Sequence, residues 1–310
     1  MNIFWMQAGG CGGDTWAMMN VTSPTLPEMI GALDVNPLWH PSLSTGGHAD
    51  YQALVQDLVA GKRCLDILFV EGAVIRGPGG SGGYDSSCLG PKKDLVAQLT
   101  RKATWVVAAG TCASFGGIGA DGEVEATGLQ FAGRERGGFL GADFLSAGGH
   151  PVINLPGCPC QGEVLVGVLA SLATGRELAL NELQEPVVWY GMLVHQGCTR
   201  NEYHEYRVED AEFGQQGCLF FHMGCRGPLT HGPCNKILWN HRNSKTRAGV
   251  PCLGCTQPEF PQPYPFFQTR NIADIPVELP EGVDRAHYLA YKGMAAAAAP
   301  QRLIARKSRV

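Results

Sequence analysis

Three cysteines stand directly behind apolar, strand-like runs. Cys11 follows the run 3–7 across the glycine-rich turn 9–13, Cys112 follows WVVAA at 105–109, and Cys158 follows VINL at 152–155. A fourth apolar run, CLDILFVE at 64–71, reads as a buried strand, and helical spacing appears at 49–60, 95–102 and 162–173. Strands alternating with helical stretches imply an α/β fold with a doubly wound parallel sheet. Ligands in such sheets gather at the carboxyl ends of the strands, so these three cysteines are expected to converge despite their separation in sequence.

The chain carries 12 cysteines in 310 residues. Disulfide scaffolds are normally much shorter, and the N-terminal segment Met1-Asn2-Ile3-Phe4-Trp5 shows neither a basic region nor a twin-arginine pair. The cysteines are therefore expected to be reduced and available as metal ligands. A net charge of −4 gives no electrostatic case for nucleic acid, and only 17% charged residues fits a surface largely covered by a partner. No apolar run approaches the roughly twenty residues that span a bilayer.

Near residue 185 the character of the chain changes. Prolines and glycines multiply, periodicity fades, and seven ligand-type residues follow: His195-x2-Cys198, Cys218-x6-Cys225, Cys234 and Cys252-x2-Cys255. This places an α/β domain at 1–185 and an irregular domain at 186–310, the latter held together by what it binds. Zinc and iron–sulfur clusters both take thiolate, but a zinc ribbon has two Cys-x2-Cys pairs and this segment has one. The tail carries a short helical run at 294–299 and ends basic, with Arg302, Arg306, Lys307 and Arg309.

The strings WMQAGGCGGD, VEG, GTCASFGG, LPGCP, HQGCTR, GCRGPLTHGPC and PCLGCTQPEFP occur in the order found in small subunits of nickel–iron hydrogenases. From about residue 3 to 260 the chain resembles that family, most nearly its signal-less cytoplasmic uptake types, including the high-affinity hydrogen-oxidising kinds of aerobic bacteria. The resemblance implies a flavodoxin-like first domain and a cluster-binding second one. It also implies three iron–sulfur clusters: a proximal one on Cys11, Cys112 and Cys158, with Asp14 where the family usually has a fourth cysteine; a distal 4Fe–4S on His195, Cys198, Cys218 and Cys225; and a medial 3Fe–4S on Cys234, Cys252 and Cys255. Cys218 and Cys225 are separated by six residues where five are expected, a difference that a bulge beside Phe221 and His222 would absorb.

Asp14 leaves two outcomes for the proximal cluster. A carboxylate ligand gives an altered 4Fe–4S cluster, and its release leaves a three-cysteine 3Fe–4S cluster; the plain structural reading is that Asp14 caps the following helix. Oxygen-tolerant membrane-bound relatives carry two further cysteines where this chain has Gly13 and Gly117, so their special cluster is not expected. Glu71, at the strand end in VEG, is a candidate for proton transfer near the subunit interface. Arg226 and Thr230 are candidates to donate hydrogen bonds to cluster sulfurs. Cys64 reads as a core residue, Cys88 as a loop cysteine and Cys160 as a buried neighbour of the proximal site. The histidines besides His195, among them His204, read as surface or core residues. The run 77–83 reads as a flexible loop and lacks a phosphate-binding signature.

The implied function is electron relay. Hydrogen is split at the nickel and iron of a large subunit, and electrons pass through the clusters to an acceptor, such as a quinone or redox protein, docked near His195. A higher oligomer of heterodimers is expected, located in the cytoplasm, with association to the inner face of the membrane only through a partner. The alternative on the same fold is a hydrogen-sensing regulatory hydrogenase.

Overall fold

The computed structural model describes residues 1–120 and 122–307, so the basic-tail residue Arg309 lies outside the described part. The chain divides into two compact units, the first of Met1–Val188 with Thr256–Pro261, the second of Trp189–Cys255 with Gln262 onward.

The first unit is built on a five-stranded sheet of β1 (Asn2–Gln7), β2 (Asn36–Trp39), β3 (Leu65–Glu71), β4 (Ala103–Ala109) and β5 (Ile153–Leu155). Every neighbouring pair is parallel, and the spatial order is β5-β4-β3-β1-β2. This is the flavodoxin-like order 2-1-3-4-5, and its chain reversal falls between β1 and β3. The connecting helices are α1 (Gly13–Met19), α2 (Leu26–Ala32), α3 (His48–Val59), α4 (Lys92–Thr100), α5 (Gly110–Phe115) and α6 (Gly162–Ala173). Helices on both faces bury the central strands on both sides, which is why β3 and β4 read as continuous apolar runs. Phe4, Ile67, Leu68, Val106 and Val107 are fully excluded from solvent.

Register sets up the site. Gln7 pairs with Glu71, Glu71 with Ala109, and Leu155 with Ala109, so four strands end in one row at the carboxyl edge. The β1 and β3 ends are then stitched together by Ala8 N–H to Glu71 O at 2.8 Å and by Gly9 and Ala73 exchanging two bonds of 2.9 Å. Gly72 makes this possible: its φ is +92°, and a Cβ there would lie 2.7 Å from the Gly9 carbonyl carbon.

Sequence and structure differ at a few elements. β2 has no signature in the sequence, because Asn36 and Pro37 interrupt any apolar pattern; as an edge strand it tolerates the missing N–H. Cys64 precedes β3 and is exposed, so it is not a core residue.

The second unit has little regular structure. Its helices include α7 (Asn201–Glu205), α8 (Arg285–Ala297) and α9 (Gln301–Lys307). α8 begins well before the helical run expected at 294–299, because Asp284 caps it by accepting the His287 N–H at 2.9 Å. Among the described residues, no helix is long and apolar enough to cross a membrane.

Candidate metal centres

At the carboxyl edge of the sheet, three loops carry Cys11, Cys112 and Cys158. Thr111 holds two of them together: its N–H donates to Gly157 O at 2.9 Å, and the Gly157 N–H donates to Thr111 Oγ1 at 2.8 Å. The Cys11 loop closes on the same place, since a Cβ on Gly13 would sit 3.2 Å from Cys11 Sγ and 3.3 Å from Pro159. A Cβ on Gly117 would sit 2.7 Å from Cys112 Sγ, and φ of +62° there already disfavours a side chain. Gly117 therefore leaves no room for a side chain beside Cys112, whereas a side chain at Gly13 would only press on Cys11 and Pro159.

Asp14 lies in the first turn of α1 and is buried. It does not cap that helix; Gly12 occupies the cap position, and Asp14 Oδ1 accepts the Cys160 N–H at 2.6 Å. Burial pushes the Asp14 carboxyl up to about 7, the nearby Glu71 charge adds to this, and the Cys160 bond opposes it. Burial also raises the Cys112 thiol, helped by the charges of Asp14 and Cys11, so these three groups face one another.

Glu71 is locked in place. Its Oε1 accepts the Asp14 and Thr15 N–H groups at 2.9 and 3.0 Å, and its Oε2 accepts Trp5 Nε1–H at 2.9 Å, Gln7 Nε2–H at 3.1 Å and the Thr15 hydroxyl at 2.5 Å. The carboxylate thus fixes the start of α1 and, with it, Asp14. Cys160 is fully buried in the same region, and Cys88 is exposed in its loop.

In the second unit His195, Cys198, Cys218 and Cys225 line one pocket, together with Phe220, Pro228 and Asn235 among others. Arg200 builds this wall: it is buried, its Nε donates to Thr246 O at 2.7 Å, and its Nη1 donates to Gly217 O at 2.5 Å. The six-residue gap between Cys218 and Cys225 is taken up by a turn in which Met223 and Cys225 N–H both donate to Leu219 O. Backbone N–H groups point at the sulfurs: Arg200 to Cys198 at 3.4 Å, Phe220 to Cys218 at 3.5 Å and Cys252 to Cys225 at 3.3 Å.

That last bond puts a second group of thiols next door. Cys255 and Cys252 are the charges that, after burial, raise Cys234. Asn235 ties the two groups together by donating to Val194 O at 2.8 Å while accepting from Ser244 at 2.5 Å and Thr246 at 2.9 Å. Lys245 Nζ stands 3.9 Å from Cys255 Sγ.

The donor chemistry fits clusters. Burial pushes the Cys218, Cys225, Cys234 and Cys252 thiols up to about 12. Such groups ionise only when a metal supplies the compensating charge. Among the described residues no group of three His, Cys, Asp or Glu is placed to hold a metal ion.

Three expectations change. Arg226 turns its guanidinium to Glu278 and Tyr264, and the Thr230 hydroxyl donates to Arg226 O, so neither side chain is directed at a sulfur. His204 is no ordinary core histidine: its Nδ1 is 3.4 Å from Cys218 Sγ and its ring meets His195 edge-on at 4.6 Å. Lys245 is a further neighbour of a candidate ligand, Cys255, that sequence reasoning misses. Neither His204 nor Lys245 has a motif spacing to the cysteines, so only the fold reveals them.

A doubly wound domain with cysteine loops at its carboxyl edge, followed by a loop-rich unit holding seven further ligand-type residues, defines an iron–sulfur electron carrier. Residues 190–268 match the family model for the C-terminal domain of NiFe/NiFeSe hydrogenase small subunits, and residues 11–172 match that of the NADH ubiquinone oxidoreductase 20 kDa subunit. The F420 non-reducing hydrogenase I small subunit of Methanosarcina mazei is 30% identical over 292 residues, covering 84% of this chain and 73% of the relative. The periplasmic [NiFe] hydrogenase small subunit of Solidesulfovibrio fructosivorans is 30% identical over 267 residues, covering 84% and 78%. In structure, the chain is similar to the actinobacterial-type NiFe-hydrogenase from Ralstonia eutropha H16, with a TM-score of 0.80, 25% identity and coverage of 99% and 89%. The chain belongs to the small subunits of nickel–iron hydrogenases, and its first unit shares the family of the 20 kDa oxidoreductase subunit.

Proposed function

We infer that this chain relays electrons between the nickel–iron site of a large subunit and an external acceptor through three clusters, in the order proximal, medial, distal. The observation that carries this reading is the cavity bounded by His195, Cys198, Cys218 and Cys225, with Cys252 bonded directly to its edge. Cys11, Cys112, Cys158 and Asp14 would hold the proximal cluster; Cys234, Cys252 and Cys255 the medial one. When bound, these clusters supply one-electron redox chemistry over a wide range of potentials.

The residues of this chain bind, space and tune. Backbone N–H groups aimed at Cys198, Cys218 and Cys225 favour the electron-richer state, and Lys245 does the same beside Cys255. Glu71 fixes the helix from which Asp14 projects. Trp16 and Ile118, close in sequence to the proximal ligands, are 62% and 69% exposed; such apolar side chains suit burial by the large subunit. A quinone or redox protein as acceptor, and assembly into a higher oligomer, are part of the proposal. So is a cytoplasmic location, which rests on the resemblance alone.

The test uses the complex co-purified anaerobically with its large subunit. His195→Ala should slow hydrogen-dependent dye reduction at least tenfold while hydrogen–deuterium exchange at nickel stays intact. Equal loss of both activities would remove His195 from the exit path, and absence of hydrogen-dependent reduction in a nickel-loaded wild-type complex would sink the relay itself.

A further inference from the structure

His204 projects from α7 toward the cavity of the proposed distal cluster, without belonging to its ligand set. Its Nδ1 lies 3.4 Å from Cys218 Sγ, within the range of a hydrogen bond to sulfur. Two aromatic contacts fix the ring: His195 meets it edge-on at 4.6 Å with an interplanar angle of 69°, and Phe220 at 5.6 Å and 76°. Phe220 also presents its backbone N–H to the same sulfur at 3.5 Å. Cys218 thus has a side-chain partner in addition to a backbone one.

An iron-bound cysteine is a thiolate, which accepts hydrogen bonds and cannot donate them. The proton between the two atoms must then reside on Nδ1, which fixes the tautomer. We propose that His204 is a positioning residue of the distal cluster, whose Nδ1–H donates to the Cys218 sulfur, stabilises the reduced cluster and holds the rotamer of the neighbouring His195 ring. This inference rests on the assignment of Cys218 as a distal ligand.

The direction of the effect follows from charge. Reduction adds electron density to the sulfurs, and a donor strengthens as its acceptor becomes richer. Removing the N–H lowers the distal potential and leaves the medial and proximal ones where they are. Because the distal cluster is the last carrier, a lower potential there favours loss of the electron to the acceptor but hinders its arrival from the medial cluster.

The test is an EPR-monitored redox titration of the whole heterodimer with two variants. His204→Phe keeps the ring contacts and deletes the donor; His204→Asn places an amide N–H close to the position of Nδ1. The expected result is a negative shift of the distal midpoint potential in His204→Phe, restoration toward wild type in His204→Asn, and unchanged medial and proximal signals. If His204→Phe loses the cluster while His204→Asn keeps it at the wild-type potential, the donor is again what matters. An unshifted distal potential in His204→Phe, or the same shift or loss in both variants, overturns the proposal. A Cys218→Ser complex separates the two claims: a distal signal unaltered in it would refute the assignment of Cys218 as a ligand, whatever His204 does.

Discussion

At the scale of single residues, two buried carboxylates of the first unit work in opposite ways. Glu71 is saturated by five donors, two of them backbone N–H groups at the start of α1. Replacing it by glutamine keeps the size but turns an amide NH2 against one set of those donors. Charge-assisted bonds of this kind contribute about 1.5–3 kcal/mol each. Glu71→Gln should therefore destabilise the chain by about 2–3 kcal/mol and reduce proximal-cluster occupancy, checked by thermal unfolding and by iron content. Glu185, also buried, accepts from Asn181 Nδ2 at 2.7 Å. Burial pushes its carboxyl up to about 7, against the Asn181 bond and the nearby Arg134 charge. A carboxyl raised on folding binds more protons in the native state, so the stability it confers is present below its unfolded value near 4.5 and is lost as pH rises through 7. Glu185→Gln should abolish this slope and gain about 2–3 kcal/mol relative to wild type at pH 8. Denaturant melts of both proteins between pH 5 and 8 decide it, and parallel curves would show that Glu185 does not titrate on folding.

Elements show where sequence was sufficient and where it was not. The helices at 48–59 and 162–173, and the strands ending at Glu71, Ala109 and Leu155, were legible because burial on both faces forces long apolar runs or clear helical spacing. The cysteines behind those strands followed from the fold rule. β2 was not legible, since Pro37 and Asn36 serve an edge; α2 could have been found from the Thr25–Glu28 capping box, with Thr25 N–H donating to Glu28 at 2.8 Å. Arg226 and Thr230 lay in the right motif but point elsewhere, whereas His204 lay outside every motif and points at Cys218. Motif spacing places backbones, and a side chain's direction depends on what it meets in space. The connection from β3 makes the matching prediction. Gly72→Ala puts a methyl group 2.7–2.9 Å from the Gly9 and Gly10 backbone at φ of +92°, where no flexible side chain can yield. Backbone strain alone costs about 1–3 kcal/mol. Loss of at least that much stability, together with loss of proximal-cluster EPR intensity, is expected; a variant with wild-type melting would mean that the β1–α1 loop moves freely.

For the whole molecule, the proposed clusters predict that the two units depend on metal to different degrees. The first has a five-stranded sheet and an apolar core of residues such as Phe4, Leu68, Val106 and Leu129, none of them a ligand. In the second, the buried apolar cluster includes Cys218, Cys225 and Cys252, so the proposed ligands are themselves part of the packing. Burial pushes those thiols up to about 12, and in the proposed clusters iron would supply the charge that offsets their ionisation. Local stability follows buried apolar contact and regular hydrogen bonding, both concentrated in the first unit. Stripping iron from the heterodimer with an oxidant and chelator should therefore unfold the second unit first. Hydrogen exchange read by mass spectrometry would show amides in 189–255 losing protection while β1, β3 and β4 retain theirs. If both units lost protection together, the sheet too would depend on its clusters, through the proximal loops; if neither did, the loop-rich unit would be held by its side-chain network around Asn235 and Arg200 rather than by metal.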